Sequence, residues 1–228
     1  MLAHPLGMTA WPLPPSCTRF SAWAARHAVL LGILGVCVVI EVLLQGADFG
    51  LWGSSRWRGL AYQNGGFWRG LLDSWRPNYP GQSAAMFATY GFLHGGFFHL
   101  SINMITLASL GQPVIERVGQ WRFVAIYALS LLGGAAGFAL LSSAVQPMVG
   151  ASGALFGLAG VITGWEYTAR RRMRAETMPV LRVVMLLIGL NLVMYWAMDG
   201  RLAWDTHLGG FLAGWPAGLW LRDRPATR

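Results

Sequence analysis

Six stretches of apolar residues, each close to the length of a bilayer crossing, constrain this chain more than any other feature. A helix needs about 20 mostly apolar residues to span the hydrocarbon core, within a range of about 17–25. The stretches are 28–44, 87–110, 123–141, 148–165, 180–198 and 206–221. The expectation is therefore an all-α, polytopic membrane protein, a bundle of six transmembrane helices. Composition agrees: 55% of the residues are hydrophobic and 11% charged, where a soluble domain carries about 25% charged. The first stretch is long and lacks a convincing small-residue cleavage site, so it reads as a retained anchor rather than a leader. On this reading 1–27 is a cytoplasmic N-terminal tail, flexible over 1–18, where Pro5, Pro12, Pro14 and Pro15 fall. Residues 28–221 form the membrane domain and 222–228 a cytoplasmic C-terminal tail. The connection 47–85 is too long for a tight turn. It carries Trp52, Trp57, Trp68 and Trp75, which suits a structured loop lying partly in the membrane interface.

The net charge of +8 comes from arginine alone. Twelve of the 17 arginines, among them Arg26, Arg117, Arg122 and Arg170–Arg172, fall on the N-terminal side of a six-span topology; Arg56, Arg58, Arg69, Arg76 and Arg201 fall on the other. That bias satisfies the positive-inside rule and places both termini in the cytoplasm. Topology accounts for the charge, and no basic domain is present to bind nucleic acid. The Arg170–Arg174 cluster reads the same way, with a lipid head-group site as the alternative. Arginine without lysine hints at a GC-rich, bacterial genome and hence a plasma (inner) membrane. Cys17 and Cys37 are expected as free thiols, because one lies in the leader and the other inside the first span. No Cys/His cluster or H-E-x-x-H string suggests a metal, and no cofactor is expected.

Polar side chains inside spans are costly and normally face a protein interior or a water-filled cavity. His94, His99 and Asn103 fall in the second stretch, Ser152 at the head of the fourth and His207 at the head of the sixth. The second, fourth and sixth spans all run inward from the outer face, so these residues share one side of the membrane. At roughly 100° per residue, His99 and Asn103 share a helix face, while His94 lies about 140° away. Gly210, Gly214 and Gly218 fall within roughly 60° of His207, and Gly153, Gly157, Gly160 and Gly164 form a comparable stripe beside Ser152. Pressed together as small-xxx-small faces, the two stripes would bring His207 towards Ser152.

A serine hydroxyl needs a base to become a nucleophile, and histidine is the side chain suited to that near neutral pH. Acyl transfer also needs donors aimed at a developing oxyanion; His99, Asn103 and the backbone N–H of Ser152 are candidates. Gly150 and Gly153 flank Ser152 and permit a tight turn and close approach of a substrate backbone, and both are expected, with Gly157, Gly210 and Gly214, among the helix-packing glycines. No acid is obviously placed to orient His207: Asp205 is two residues away and Asp199 falls in a loop. A dyad is favoured over a triad. Taken singly, each residue has a plainer reading. Ser152 could be a small packing residue, His207 a packing histidine, and His99 with Asn103 an interhelical hydrogen-bonded pair.

Together these residues resemble the rhomboid intramembrane serine proteases. The likeness rests on Gly150-Ala151-Ser152-Gly153 for the family's G-x-S-G, on His94-x4-His99-x3-Asn103 for its second-span signature, and on His207-x2-Gly210-x3-Gly214 in its last core span. Gly111, Glu116, Arg117 and Gly119 resemble a further family feature. The resemblance implies a six-helix rhomboid-like bundle with a catalytic cavity sunk below the outer surface. It implies that Ser152 attacks the scissile carbonyl with His207 as general base and then general acid. His99 and Asn103 would stabilise the oxyanion, with His94 in a structural or supporting role. Substrates would be transmembrane proteins of the surrounding bilayer with small or helix-weakening residues near the cut. One departure stands out: where the family often has a Trp-Arg pair about nine residues before the first His, this chain has Ala84-Ala85-Met86, and its own Trp68-Arg69 and Trp75-Arg76 lie further upstream. Two other functions compete. A catalytically inactive rhomboid-like protein that binds client membrane proteins has no need of both Ser152 and His207. A small transporter or channel is disfavoured because no inverted repeat and no acidic residue deep in a span is evident.

Overall fold

The computed structural model describes residues 15–221, with side chains from Phe20 onward, and within these limits its regular elements are helices, apart from one isolated β-bridge. The helices are α1 (Pro15–Arg26), α2 (Ala28–Asp48), α3 (Trp57–Gly65), α4 (Gln82–Thr89), α5 (Phe97–Val118), α6 (Gln120–Leu141), α7 (Ser152–Arg172), α8 (Met178–Ala197) and α9 (Trp204–Trp220). Short 3-10 turns occupy Arg69–Leu72 and Tyr90–Phe92. By length and composition alone, α2, α6 and α8 qualify as membrane spans. The more polar or shorter α5, α7 and α9 complete the six-helix transmembrane bundle, and they carry the candidate site.

Several boundaries differ from the sequence expectation. The tail expected over 1–27 contains helix α1, and its junction with α2 is clasped by Gln120, whose amide donates to the Ala25 carbonyl and accepts from the Val29 N–H. Residues 1–14 and 222–228, and the side chain of Cys17, lie outside the described residues. The second span is not one helix over 87–110. The chain runs through α4 and the Tyr90–Phe92 turn, becomes extended at Leu93, and restarts as α5 after Gly96. Gly96 has φ +100°, a conformation that only glycine adopts cheaply, and it breaks the apolar run. The fourth span begins at Ser152 rather than at 148, because Met148 pairs with Phe67 as an antiparallel bridge through hydrogen bonds of 2.9 and 3.0 Å.

At the centre of the bundle stands α7, packed most extensively against α9 and α6. Lipid supplies no hydrophobic drive between helices, so close van der Waals packing of small residues holds such an interface. The two Gly-rich faces meet here. A Cβ on Gly210 would collide with the Gly153 backbone, one on Gly214 with that of Gly157, and one on Gly218 with that of Val161. A third small-residue face on α6 joins them, Gly137 lying against Gly209 and Gly133 against Ala213.

The connection 47–85 is anchored in the core as well as in the interface. Phe67 is fully buried among Phe87, Tyr90 and Phe138. Trp52 donates to the Leu43 carbonyl at 3.0 Å, and Trp68 donates to that of Tyr62 at 2.7 Å. Arg58 reaches Glu41 at 2.8 Å, Asp48 at 2.6 Å and the His94 carbonyl at 3.0 Å. Burial works against the Arg58 charge, but hydrogen bonds with Glu41, Tyr62 and Asp48 outweigh it and hold its pKa above the ordinary arginine value. Glu41, near the end of the first expected span, is an acidic residue buried within α2 and paired with Arg58. This ion cluster ties the loop to α2 and to the link before α5. Trp68 and Trp75 pack on each other upstream, and Arg69 pairs locally with Asp73.

Candidate active site

The three helices that carry the candidate residues all present them at their N-terminal ends. His99 lies in the first turn of α5, Ser152 is the first residue of α7, and His207 lies in the first turn of α9. The short segment before Ser152 is clamped from two sides. Met148 pairs with Phe67, and the Gly150 N–H donates to the Tyr90 carbonyl at 3.0 Å. Gly150 itself, at φ +125°, lies in the turn before α7 and not on its packing stripe. Its open side faces the His99 ring, whose Nε2 would stand 2.8 Å from a Cβ placed there. Ala151 occupies the N-cap without a side-chain bond. No cap therefore takes up the first-turn N–H groups of α7, which present the positive end of the helix beside Ser152.

Ser152 and His207 are 55 residues apart in sequence, yet Ser152 Oγ and His207 Nε2 are 2.9 Å apart. The imidazole is held in two further ways. The Phe156 ring, one turn below Ser152, stacks on it with centroids 4.2 Å apart and planes 9° from parallel. Asn191 Oδ1, from α8, lies 2.5 Å from His207 Nδ1. The expected dyad thus has a neighbour that the sequence reading passed over. Neither acid considered there takes that place; Asp205, though buried, accepts from the Thr206 N–H at 2.8 Å.

The second-span residues separate into distinct positions. His99 Nδ1 accepts from the Gly95 N–H at 3.1 Å, so in the neutral ring the proton sits on Nε2, the nitrogen beside Gly150. Asn103, one turn on and buried, donates from Nδ2 to the His99 carbonyl at 2.9 Å. One of its two amide protons is therefore committed to its own helix. His94 is not on that helix at all, so the 140° phase argument does not apply to it. It sits in the extended link before α5, fully buried, with its ring edge-on to His99 at 5.3 Å between centroids. Its carbonyl accepts from Tyr62 at 2.7 Å and from Arg58 at 3.0 Å, so the loop's ion cluster braces the segment that orients His99.

Between α8 and α9 an apolar cavity of about 560 Å³ opens onto His207, bordered by Phe156, Ile188, Asn191, Tyr195 and Leu208. Among the described residues no group of three metal-ligating side chains occurs. The arrangement can take a proton from a hydroxyl and present N–H donors to an anion beside it.

Comparison with known proteins gives the same family as the motifs. A model described as the Rhomboid domain matches residues 81–224, more than half of the chain. The chain is similar to RHOMBOID-like protein 5 of Arabidopsis thaliana, 39% identical over 140 residues, covering 59% of this chain and 43% of that protein. RHOMBOID-like protein 2 of the same plant is 32% identical over 181 residues, or 76% of this chain and 48% of that protein. Rhomboid protease GluP of Bacillus subtilis is 32% identical over 123 residues, 54% of this chain and 23% of that protein. Each match thus spans less than half the length of the relative. The breadth of the family match, laid over a six-helix membrane bundle, places the chain in the rhomboid family.

Proposed function

We propose that the protein is an intramembrane serine endopeptidase that cleaves transmembrane segments of other membrane proteins. The observation that carries this reading is the 2.9 Å contact between Ser152 Oγ and His207 Nε2, made within the bundle by residues from different spans. His207 Nε2 removes the hydroxyl proton as Ser152 Oγ attacks the scissile carbonyl carbon. The carbonyl π electrons move onto oxygen, and the oxyanion meets His99 Nε2–H, the Ser152 backbone N–H and the uncommitted amide proton of Asn103. When the intermediate collapses, His207 returns the proton to the leaving amine. A water, deprotonated by the same nitrogen, then attacks the acyl carbon, and the proton passes to Ser152 Oγ as the ester bond breaks. His94 supports this site through its backbone and through the ring of His99.

Substrates on this reading are single-span membrane proteins with small or helix-weakening residues at the cut, because a regular helix hides its peptide bonds. The arginine bias supports cytoplasmic termini, and the all-arginine usage supports a bacterial plasma membrane. A fluorophosphonate probe tests the chemistry. The wild type should label and cleave a reconstituted helical substrate. Ser152→Ala should lose both, and His207→Ala should lose turnover, with the thermal melt of each retained. A folded wild type that neither labels nor cleaves would return the protein to the inactive, client-binding class.

A further inference from the structure

We propose that Asn191 is a positioning residue: it holds His207 in the one tautomer able to accept the Ser152 proton. The inference rests on the protease reading and deepens it.

The Asn191 amide is itself oriented. Its Nδ2 donates to the Leu187 carbonyl one turn back on α8 at 2.9 Å, so the amide cannot turn over without setting two oxygens against each other. Oδ1 is thereby left facing His207 Nδ1. An amide oxygen can only accept, so Nδ1 must carry the imidazole proton, and in the neutral ring Nε2 is then bare towards Ser152 Oγ. Without Asn191 the proton is free to sit on Nε2, where it blocks the transfer. Phe156 fixes the plane of the ring but does not distinguish its two nitrogens. The other titratable groups about His207 are His99 from α5, Tyr195 from α8 across the cavity and Asp205 on α9 itself, and its ring bonds are to Asn191 and Ser152 rather than to any of them. The logic matches that of Cys-His-Asn proteases, with an amide in place of the acid. It differs in where the amide is mounted. In α8 only Val180 is fully buried, so the residue that selects the tautomer rides on the most loosely packed span.

The test is Asn191→Leu, which keeps the bulk and removes the acceptor, beside Asn191→Asp, which keeps an acceptor. In Asn191→Leu, kcat for a reconstituted transmembrane substrate should fall about 10–100-fold while KM stays within about twofold, since only the proton transfer is impaired. Asn191→Asp should recover most of the rate. Its carboxylate should also favour the imidazolium, moving the acid limb of the pH–rate profile to higher pH. A kcat within twofold of wild type in Asn191→Leu overturns the inference. So does an equal loss in both folded variants, which would make the residue a packing element. The hydrogen bond has a second readout that needs no turnover, a downfield His207 Nδ1 proton resonance present in wild type and absent in Asn191→Leu. If it is present in a wild type that fails to label with fluorophosphonate, the protease reading falls and the tautomer assignment stands. If it is absent in a wild type that labels, the tautomer assignment falls alone.

Discussion

Helices α7 and α8 are neighbours in sequence and similar in length, yet the bundle treats them in opposite ways. Ten residues of α7 are buried, from Gly153 to Trp165, and its Gly160 and Gly164 meet the α9 backbone with no room for a methyl group. In α8, Val180 alone is fully buried, and Leu186, Leu190 and Val193 point outward. In a bilayer that outward face carries no solvation penalty, because lipid tails are as apolar as leucine. Apolar character therefore does not predict which helix is held firmly; the fit of small residues does. The candidate site uses both kinds of support. Ser152 and His207 are carried by the α7–α9 seam, while the partner of His207 Nδ1 comes from the outlying helix.

The sharpest way to break this contrast is to place the same side chain in the α7–α9 seam and on α8. Gly214→Val sets a branched side chain against the Gly157 carbonyl, where backbone rather than a flexible side chain must give way. Overpacking commonly costs about 1–3 kcal/mol, and a backbone collision belongs at or above the top of that range. A large fall in the melting midpoint, with activity lost alongside, is expected; an unchanged melt would defeat the seam. Next in size is Glu41→Ala. It removes the main partner of Arg58 and leaves a largely buried cation with Asp48 and the His94 carbonyl. Breaking a fully buried pair costs about 3–5 kcal/mol, and the surviving partners should keep this one near or below the lower bound. Because Arg58 braces the segment that orients His99, activity measured below the melt should fall as well. Retained activity would uncouple the loop from the site. The smallest effect belongs to Gly189→Val on α8, where nothing lies within 4 Å of an added Cβ. Its melt should match wild type to within about 0.5 kcal/mol, and a marked loss would mean that α8 is packed more tightly than its exposure implies.

The polar residues that the sequence flagged differ in how well their surroundings were read. The placing of Ser152 and His207 in the first turns of their helices was legible because span counting acts locally and needs no partner. The position of His94 was not, since the apolar run continues through Leu93–Gly96 and conceals a break set by one glycine's φ. Asn191 did leave a signal. It is the lone amide in the run 180–198, and an intramembrane polar group ordinarily marks a site. An amide oxygen accepts from an imidazole N–H as a carboxylate does, but it carries no charge to mark it in the sequence. Glu41 likewise lies within an apolar run.

By itself, then, the sequence determined the six-helix membrane architecture, the shared face of His99, Ser152 and His207, and the stripes of small residues that permit close approach. These are properties of composition and of a repeat of 3.6 residues, carried by each segment alone. Only the tertiary structure decided which histidine nitrogen faces Ser152, that an amide on α8 faces the other, and that Arg58 and Glu41 anchor the loop. Hydrogen bonds across helices form or fail within an ångström, and that distance depends on how several helices settle together rather than on any one of them.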